Sequence, residues 1–341
     1  VATIEATICD QSFHALADIV PSWESVAWRL NGIGMARFNL PYVDAACRRD
    51  YLREGNGLYL RFSEDVGLPA WGGVLDLPQD QDEDGITQSA YSGEYILTWR
   101  ETGLNRLFSA TAPGMIFKGL IDDANGIVPT GITIDTIYTG GTAIDKAYHF
   151  HELFRQSQEL SDAAGPDFAV IPAYSGGVLS FKANWYERRG QDSRGKVYLV
   201  EGKNVSKARL TRQGNLANHI EMAGNGASWG PERYVKSEDD AEARAVSGYR
   251  EWKEVNSSIS SQATIDAHAA AKLAELAWPT NAISISVLNE KPSLFADYDV
   301  GDLVSCQLFL KSPEWVFEGD IRIMAREWTP SGVELVVQEW R

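Results

Sequence analysis

Apolar and polar residues alternate at both ends of the chain and recur at helical spacing only in its middle. Ile4, Ala6 and Ile8 alternate with Glu5 and Thr7, the period-2 signature of a half-buried strand. Residues 23–41 hold two short apolar segments joined by Asn31-Gly32, which predicts a hairpin. Further short strands are expected over 57–62 and 70–76. Residues 76–84 carry five acids and no base, followed by Gly85, and read as a solvated loop. Residues 105–145 are rich in Gly, Thr, Pro and Ile. A helix is expected over 142–161, where Thr142 and Asp145 form a cap-like start and Ile144, Tyr148, His151 and Phe154 fit one face. A hairpin follows over 167–185. Two more helices are expected, over 238–254 behind Ser237 and Asp240, and over 262–277 behind Ser261, with Pro279 as a stop. Alternation then returns at Ile283, Ile285 and Val287, at Val304, Cys306 and Leu308, and over 321–326 and 333–339.

The pattern predicts a mostly β member of the α+β class. An N-terminal β domain (1–100) and a small C-terminal β-barrel (281–341) would flank a mixed middle (101–280). Closely spaced short strands favour a small barrel or sandwich at the C-terminal end. Regular βαβ alternation is missing, which argues against dinucleotide-binding and TIM-barrel folds.

Composition narrows the function. The 341 residues carry 31 Lys and Arg against 47 Asp and Glu, a formal charge of −16, with 44% hydrophobic residues. That apolar share predicts folded domains, and the acidity disfavours a partner held through many phosphates. Three scattered cysteines form neither a disulfide framework nor a paired metal motif, so a reducing compartment is expected. No apolar run is long enough for a membrane span, and the first residues do not resemble a signal peptide. His149 and His151 would point apart on the expected helix and could not share an ion, so no metal and no cofactor is expected. No nucleophile elbow and no phosphate-binding lysine loop occurs. Acids and eleven tryptophans leave a carbohydrate-active enzyme or binding module as an alternative. One charge feature is uneven. Residues 186–212 hold eight basic residues, including Arg188, Arg189, Arg194 and Lys196, against three acids. With the acidic run Asp80, Asp82, Glu83 and Asp84, or a second one at 238–242, this island is a candidate subunit interface.

Several segments together carry a resemblance. They are Gly34 to Pro41 (GMARFNLP), Asp167 to Val170 with Gly176-Gly177 behind it, the alanine-rich helix ahead of Pro279, and Val300 to Val304 (VGDLV) opening the last β segment. In this order the chain resembles the baseplate hub or tail tip minor tail proteins of long-tailed bacteriophages, the siphovirus Gp37-like family. The resemblance covers most of the chain and rests on order more than on any single motif.

The resemblance implies two antiparallel β-barrel-like domains flanking the mixed α+β middle, in a non-enzymatic virion protein at the tail tip, made in the host cytoplasm. It implies a homotrimeric ring linking the tail tube or a distal tail protein, and the tape-measure protein, to a central fibre or spike. DNA would pass through the ring without specific binding. No catalytic residue is implied. A peripheral side-fibre adaptor is the alternative within the same class.

Overall fold

The computed structural model describes residues 4–77, 80–81, 85–103, 105–213, 216–226, 233–257, 259, 261–277, 280–309 and 316–340. Alternation translates directly into strands. In Met35–Pro41, Ala36, Phe38 and Leu40 are completely buried while their neighbours are partly open, so one pleat face meets the core. Met35–Pro41 pairs with Ser22–Arg29 across the expected hairpin, whose turn residue Asn31 adopts a left-handed φ of 50°. Asparagine tolerates that conformation because its short side chain can hydrogen-bond locally.

One large sheet, antiparallel except where Tyr198–Val200 joins it, takes strands from both ends of the chain. Its path runs Val205–Gln213, Thr280–Val287, Gly332–Glu339, Val316–Thr329, Ser22–Arg29, Met35–Pro41, Gly85–Ser92, Trp71–Leu75, Gly57–Phe62, Ile4–Cys9 and Ala15–Ile19. Leu303–Phe309 and then Tyr198–Val200 branch from Val316–Thr329. That strand, 14 residues long, is the joint. One edge pairs with Leu303–Phe309 as far as Arg322 and then with Ser22–Arg29 from Ala325, while the other edge carries Gly332–Glu339. Met324 is the extra residue of a bulge between Ile323 and Ala325, and its carbonyl accepts the Leu30 N–H at 2.9 Å. The bulge changes the strand's partner without leaving its edge unbonded. A single core follows, with Ile8, Phe38 and Trp71 in the same cluster as Leu199, Ile285, Cys306 and Val337. Two separate barrels are therefore not what the ladders form. Among the described strands the path stays open, ending at Val205–Gln213 and Ala15–Ile19.

The middle packs its own core. Helix α1, Pro113–Ile127, lies in the Gly- and Thr-rich stretch left without an element above; Pro113 opens it, and Ile116, Phe117, Leu120, Ile121 and Ala124 line its buried face. The expected helix over 142–161 divides. Ile144–Tyr148 is a strand paired with Arg106–Thr111, and helix α2 is Leu153–Ala164. Ile144, Lys146 and Tyr148 share one face of that strand, while Ile144 and Tyr148, four apart, also fit helical spacing, so two periods suit the segment. The expected helix over 238–254 is cut by Gly248 (φ 74°) into the short helix α3, Ala241–Ser247, and a strand, Glu251–Val255. Helix α4 occupies Gln262–Leu276, and the Ser261 hydroxyl accepts the Thr264 N–H as its cap.

Candidate subunit interface

The basic segment bridges the middle sheet and the C-terminal strands, and its backbone is fastened before its side chains are considered. Gly190 (φ 90°) crosses Gly301 (φ 98°) so closely that a Cβ on Gly190 would lie 2.3 Å from the Gly301 carbonyl carbon. Only glycine fits both positions. The Asp302 carboxylate accepts the Gln191 N–H at 2.6 Å, and Leu303 donates its N–H to the Gln191 carbonyl at 2.9 Å. The Arg189 N–H donates to Asp167 at 2.6 Å, and Arg322 donates to the same carboxylate and to the Arg189 carbonyl.

The structure keeps Arg188 and Arg189 partly buried and leaves Arg194 and Lys196 exposed. Arg188 and Arg322 flank the Trp340 ring, with guanidinium carbons 5.9 and 6.0 Å from its centroid. Arg189 is half-buried over Asp167. Arg194 is committed to Asp192 at 2.6 Å and Asp320 at 3.4 Å, and its guanidinium holds the Asp192 carboxyl down to about 2. Lys196 is exposed and has no ion pair among the described residues, as is true of Lys203, Lys207 and Arg209 nearby. Lys207 and Arg209 stand on Val205–Gln213, which among the described residues ends the sheet path with one edge unpaired. Cations on an edge strand discourage indiscriminate strand pairing.

The acidic partners are distributed differently. Asp80 lies in the two-residue strand Asp80–Gln81, paired with Thr87 and Ile86, whereas Asp82, Glu83 and Asp84 lie outside the described residues. In the second acidic run, Glu238 pairs with Lys236 at 3.0 Å and Asp239 with Arg244 at 3.3 Å, while Asp240 caps α3.

Buried charges that pattern reading passed over are more tightly held. Asp167 and Arg326 are each 1% exposed, and Glu94 is buried with its carboxyl pushed up by burial, against hydrogen bonds from Ser92 and the Val170 N–H. The bulge at Met324 is the reason for Arg326: it shifts the alternation so that Arg326, with Trp328, faces the core. Nothing in one-dimensional periodicity marks such a shift.

His149 and His151 sit in the turn after Ile144–Tyr148 and not on a helix. Among the described residues no group of three or more His, Cys, Asp or Glu is placed to hold a metal, and no helix is long and apolar enough to cross a membrane. The cysteines are free; burial pushes the Cys9 and Cys306 thiols up to about 11 and about 12. At pH 7.5 the folded protein should therefore react with a maleimide at half-buried Cys47 only, and at all three after unfolding. Rapid labelling of Cys9 or Cys306 before unfolding would contradict this burial.

No protein-family profile matches the chain, and no curated protein matches it in sequence. Its fold is similar to that of prophage tail protein gp18 of Listeria monocytogenes, with a TM-score of 0.63 and 14% identity, over 98% of this chain and 94% of that one. It is similar to the 43 kDa tail protein of prophage MuSo2 of Shewanella oneidensis, with a TM-score of 0.61 and 15% identity, over 99% and 98%. The E. coli c3393 protein is a component of the type VI secretion system with structural similarity to the T4 tail proteins gp27 and gp5. It matches with a TM-score of 0.52 and 8% identity, over 94% of this chain and 74% of that one. The chain thus has the mixed α+β fold, rich in antiparallel sheet, of these phage-tail and type VI secretion proteins, and the likeness does not single out the siphovirus Gp37-like family.

Proposed function

We propose that the chain is a structural protein of a phage-type tail tip, a hub adaptor between the tail tube and the distal fibre or spike. The observation that carries the reading is the end-to-end match to tail proteins, over 98–99% of this chain and 94–98% of theirs. In this reading three copies close a ring around the DNA exit channel. The ring would contact the tube or a distal tail protein, the tape-measure protein, and the fibre or spike, and would act in the virion after synthesis in the host cytoplasm. A net charge of −16 suits a wall that lets DNA pass without adsorbing it.

A closed ring uses a heterologous contact, in which unlike surfaces of neighbouring copies meet. On the basic side we assign Lys196, Lys203, Lys207 and Arg209, because Arg188, Arg189 and Arg194 are engaged within their own chain. The acidic run 80–84 of the next copy is the assigned counterpart. Charge at such a rim sets encounter rate and register more than affinity. A tail-tip reconstruction should show three copies per tail; six, or one on the axis, would reject the hub. Reversing Lys203 and Lys207 to Glu should slow incorporation into tails about tenfold at low salt and little at high salt. An unchanged, salt-independent rate would remove the charged contact while leaving the hub intact.

A further inference from the structure

Three segments far apart in sequence enclose a cavity of about 420 Å³ that shares no residue with the assigned ring contact. The first wall is the turn between Ile4–Cys9 and Ala15–Ile19, which contributes Gln11, Ser12 and Phe13. Asp10 braces that turn, its carboxylate accepting the Ser12 and His14 N–H groups at 2.8 and 2.9 Å. Phe13 packs edge-on to Phe181, with ring centroids 5.2 Å apart. The second wall follows helix α1. There Asn125 accepts the Thr130 N–H at 2.9 Å and donates to the Ile132 carbonyl at 2.9 Å, which fixes Thr130 and Gly131. Gly131 (φ 78°) admits the Phe13 ring, from which a Cβ at that position would lie only 2.4 Å. The third wall is the end of the 3₁₀ turns Gly93–Trp99, with buried Ile96, exposed Trp99 and half-buried Arg100. Tyr95 braces Trp99, with centroids 5.6 Å apart and ring planes at 76°.

The chemistry of the lining is uneven. Arg100 is its one charged member among the described residues, in a chain of net charge −16. Its guanidinium makes no ion pair or hydrogen bond among the described residues, and its Nε is buried without a partner. Such a group gives up hydration and recovers nothing within the chain, so an anion is needed to complete it. Beside it stands Trp99, 43% exposed, an apolar surface that the protein also leaves uncovered. Exposed Gln11 and Ser12 add polar groups on the facing wall.

We propose that this cavity binds a uronic acid residue of an acidic polysaccharide, its C–H face on Trp99 and its carboxylate on Arg100. A guanidinium grips a carboxylate through two parallel hydrogen bonds, which fixes the orientation of the ring that carries it. The apolar side of a pyranose is flat enough to lie on an indole, and its hydroxyls suit the polar groups of Gln11 and Ser12. A neutral sugar would leave the guanidinium unpaired. An acidic side chain would satisfy Arg100 but leave the Trp99 face in water. The braced walls reduce the ordering that binding requires. At physiological salt the net negative charge of the chain is screened beyond about 8 Å, so the local cation governs the carboxylate.

Two-dimensional NMR of the full 15N-labelled chain at pH 7.5 tests this, with D-galacturonate and D-glucuronate as probes. Of the eleven indole N–H resonances, that of Trp99 should shift saturably, together with the Ser12 and Gly131 amides. D-galactose and D-glucose, which lack the carboxylate, should bind about tenfold more weakly, and so should acetate, which lacks the ring. Trp99→Ala should weaken uronate binding about tenfold while the amides of Gly332–Glu339 keep their positions. Arg100→Gln should remove the preference for uronates over the neutral sugars. No shift with either uronate, equal affinity for the neutral sugars, or equal affinity for acetate would each overturn the proposal. Tighter binding of a glutamate-rich peptide at the same resonances would also overturn it and make the cavity a protein contact.

Discussion

Replacing Asp167 with alanine is expected to destabilise the protein by about 3–5 kcal/mol, among the largest losses available to one substitution. Asp167 is 1% exposed and serves three parts of the chain at once. One oxygen accepts from the Asn31 side chain at 3.0 Å; the other accepts from the Arg189 N–H and from Arg322. Asn31 is locked in turn, its carbonyl oxygens accepting from the Phe168 N–H at 2.8 Å and from Gln158 at 3.1 Å. Removing the carboxylate leaves a guanidinium and two N–H donors without their acceptor in a site closed to water. A lower denaturation midpoint at unchanged slope is the expected reading. The double variant Asp167→Ala/Arg322→Met should lose less than the sum of its parts, because the stranded cation is gone. Strict additivity, or a loss under 1 kcal/mol for Asp167→Ala, would show that this joint does not hold the regions together.

Arg326→Ala is expected to cost a similar amount, about 3–5 kcal/mol, for a different reason. Its guanidinium donates to the Tyr298 carbonyl at 3.0 Å and the Phe295 carbonyl at 2.8 Å, and packs 5.1 and 5.7 Å from those two rings. The nearest carboxylate, Asp299, is 3.8 Å away and 44% exposed, so hydrogen bonds and packing hold this cation more than an ion pair does. Alanine would open a cavity and leave both carbonyls unpaired. Arg326→Met fills the volume and removes the buried charge, so it should cost only about 1–3 kcal/mol, from the carbonyls alone. Equal losses in the two variants would mean that neither the filled volume nor the removal of the buried charge matters at this position.

Much of the fold was legible because burial on a sheet face imposes a period that survives in one dimension. The Asn31-Gly32 hairpin, the strands of the first and last segments, and α4 behind Ser261 could all be read from local rules. Local rules failed where two periods fit the same residues, as over Ile144–Tyr148, and where a glycine ended an otherwise continuous pattern, as at Gly248. The candidate interface shows the same division. Its excess of base is a property of composition and was visible at once, but which cations are free is not. Arg194 and Asp320 are 126 positions apart in sequence and meet only because Leu303–Phe309 and Val316–Thr329 pair.

The sequence by itself determined the class of the molecule: acidic, rich in short antiparallel strands, with helical spacing confined to the middle. Those features depend on neighbours within a few residues, where backbone sterics and side-chain period act directly. The tertiary structure alone decided that the two ends share one sheet and one core. That outcome depends on the open edge of Val316–Thr329 finding Ser22–Arg29 after the bulge at Met324, a pairing between residues some 300 positions apart. Backbone donors and acceptors are the same in every residue, so sequence carries little record of which distant edge satisfies them. Buried Asp167 and Arg326 and partly buried Arg322 meet partners distant in sequence, and for the same reason their roles could be seen only in the folded chain.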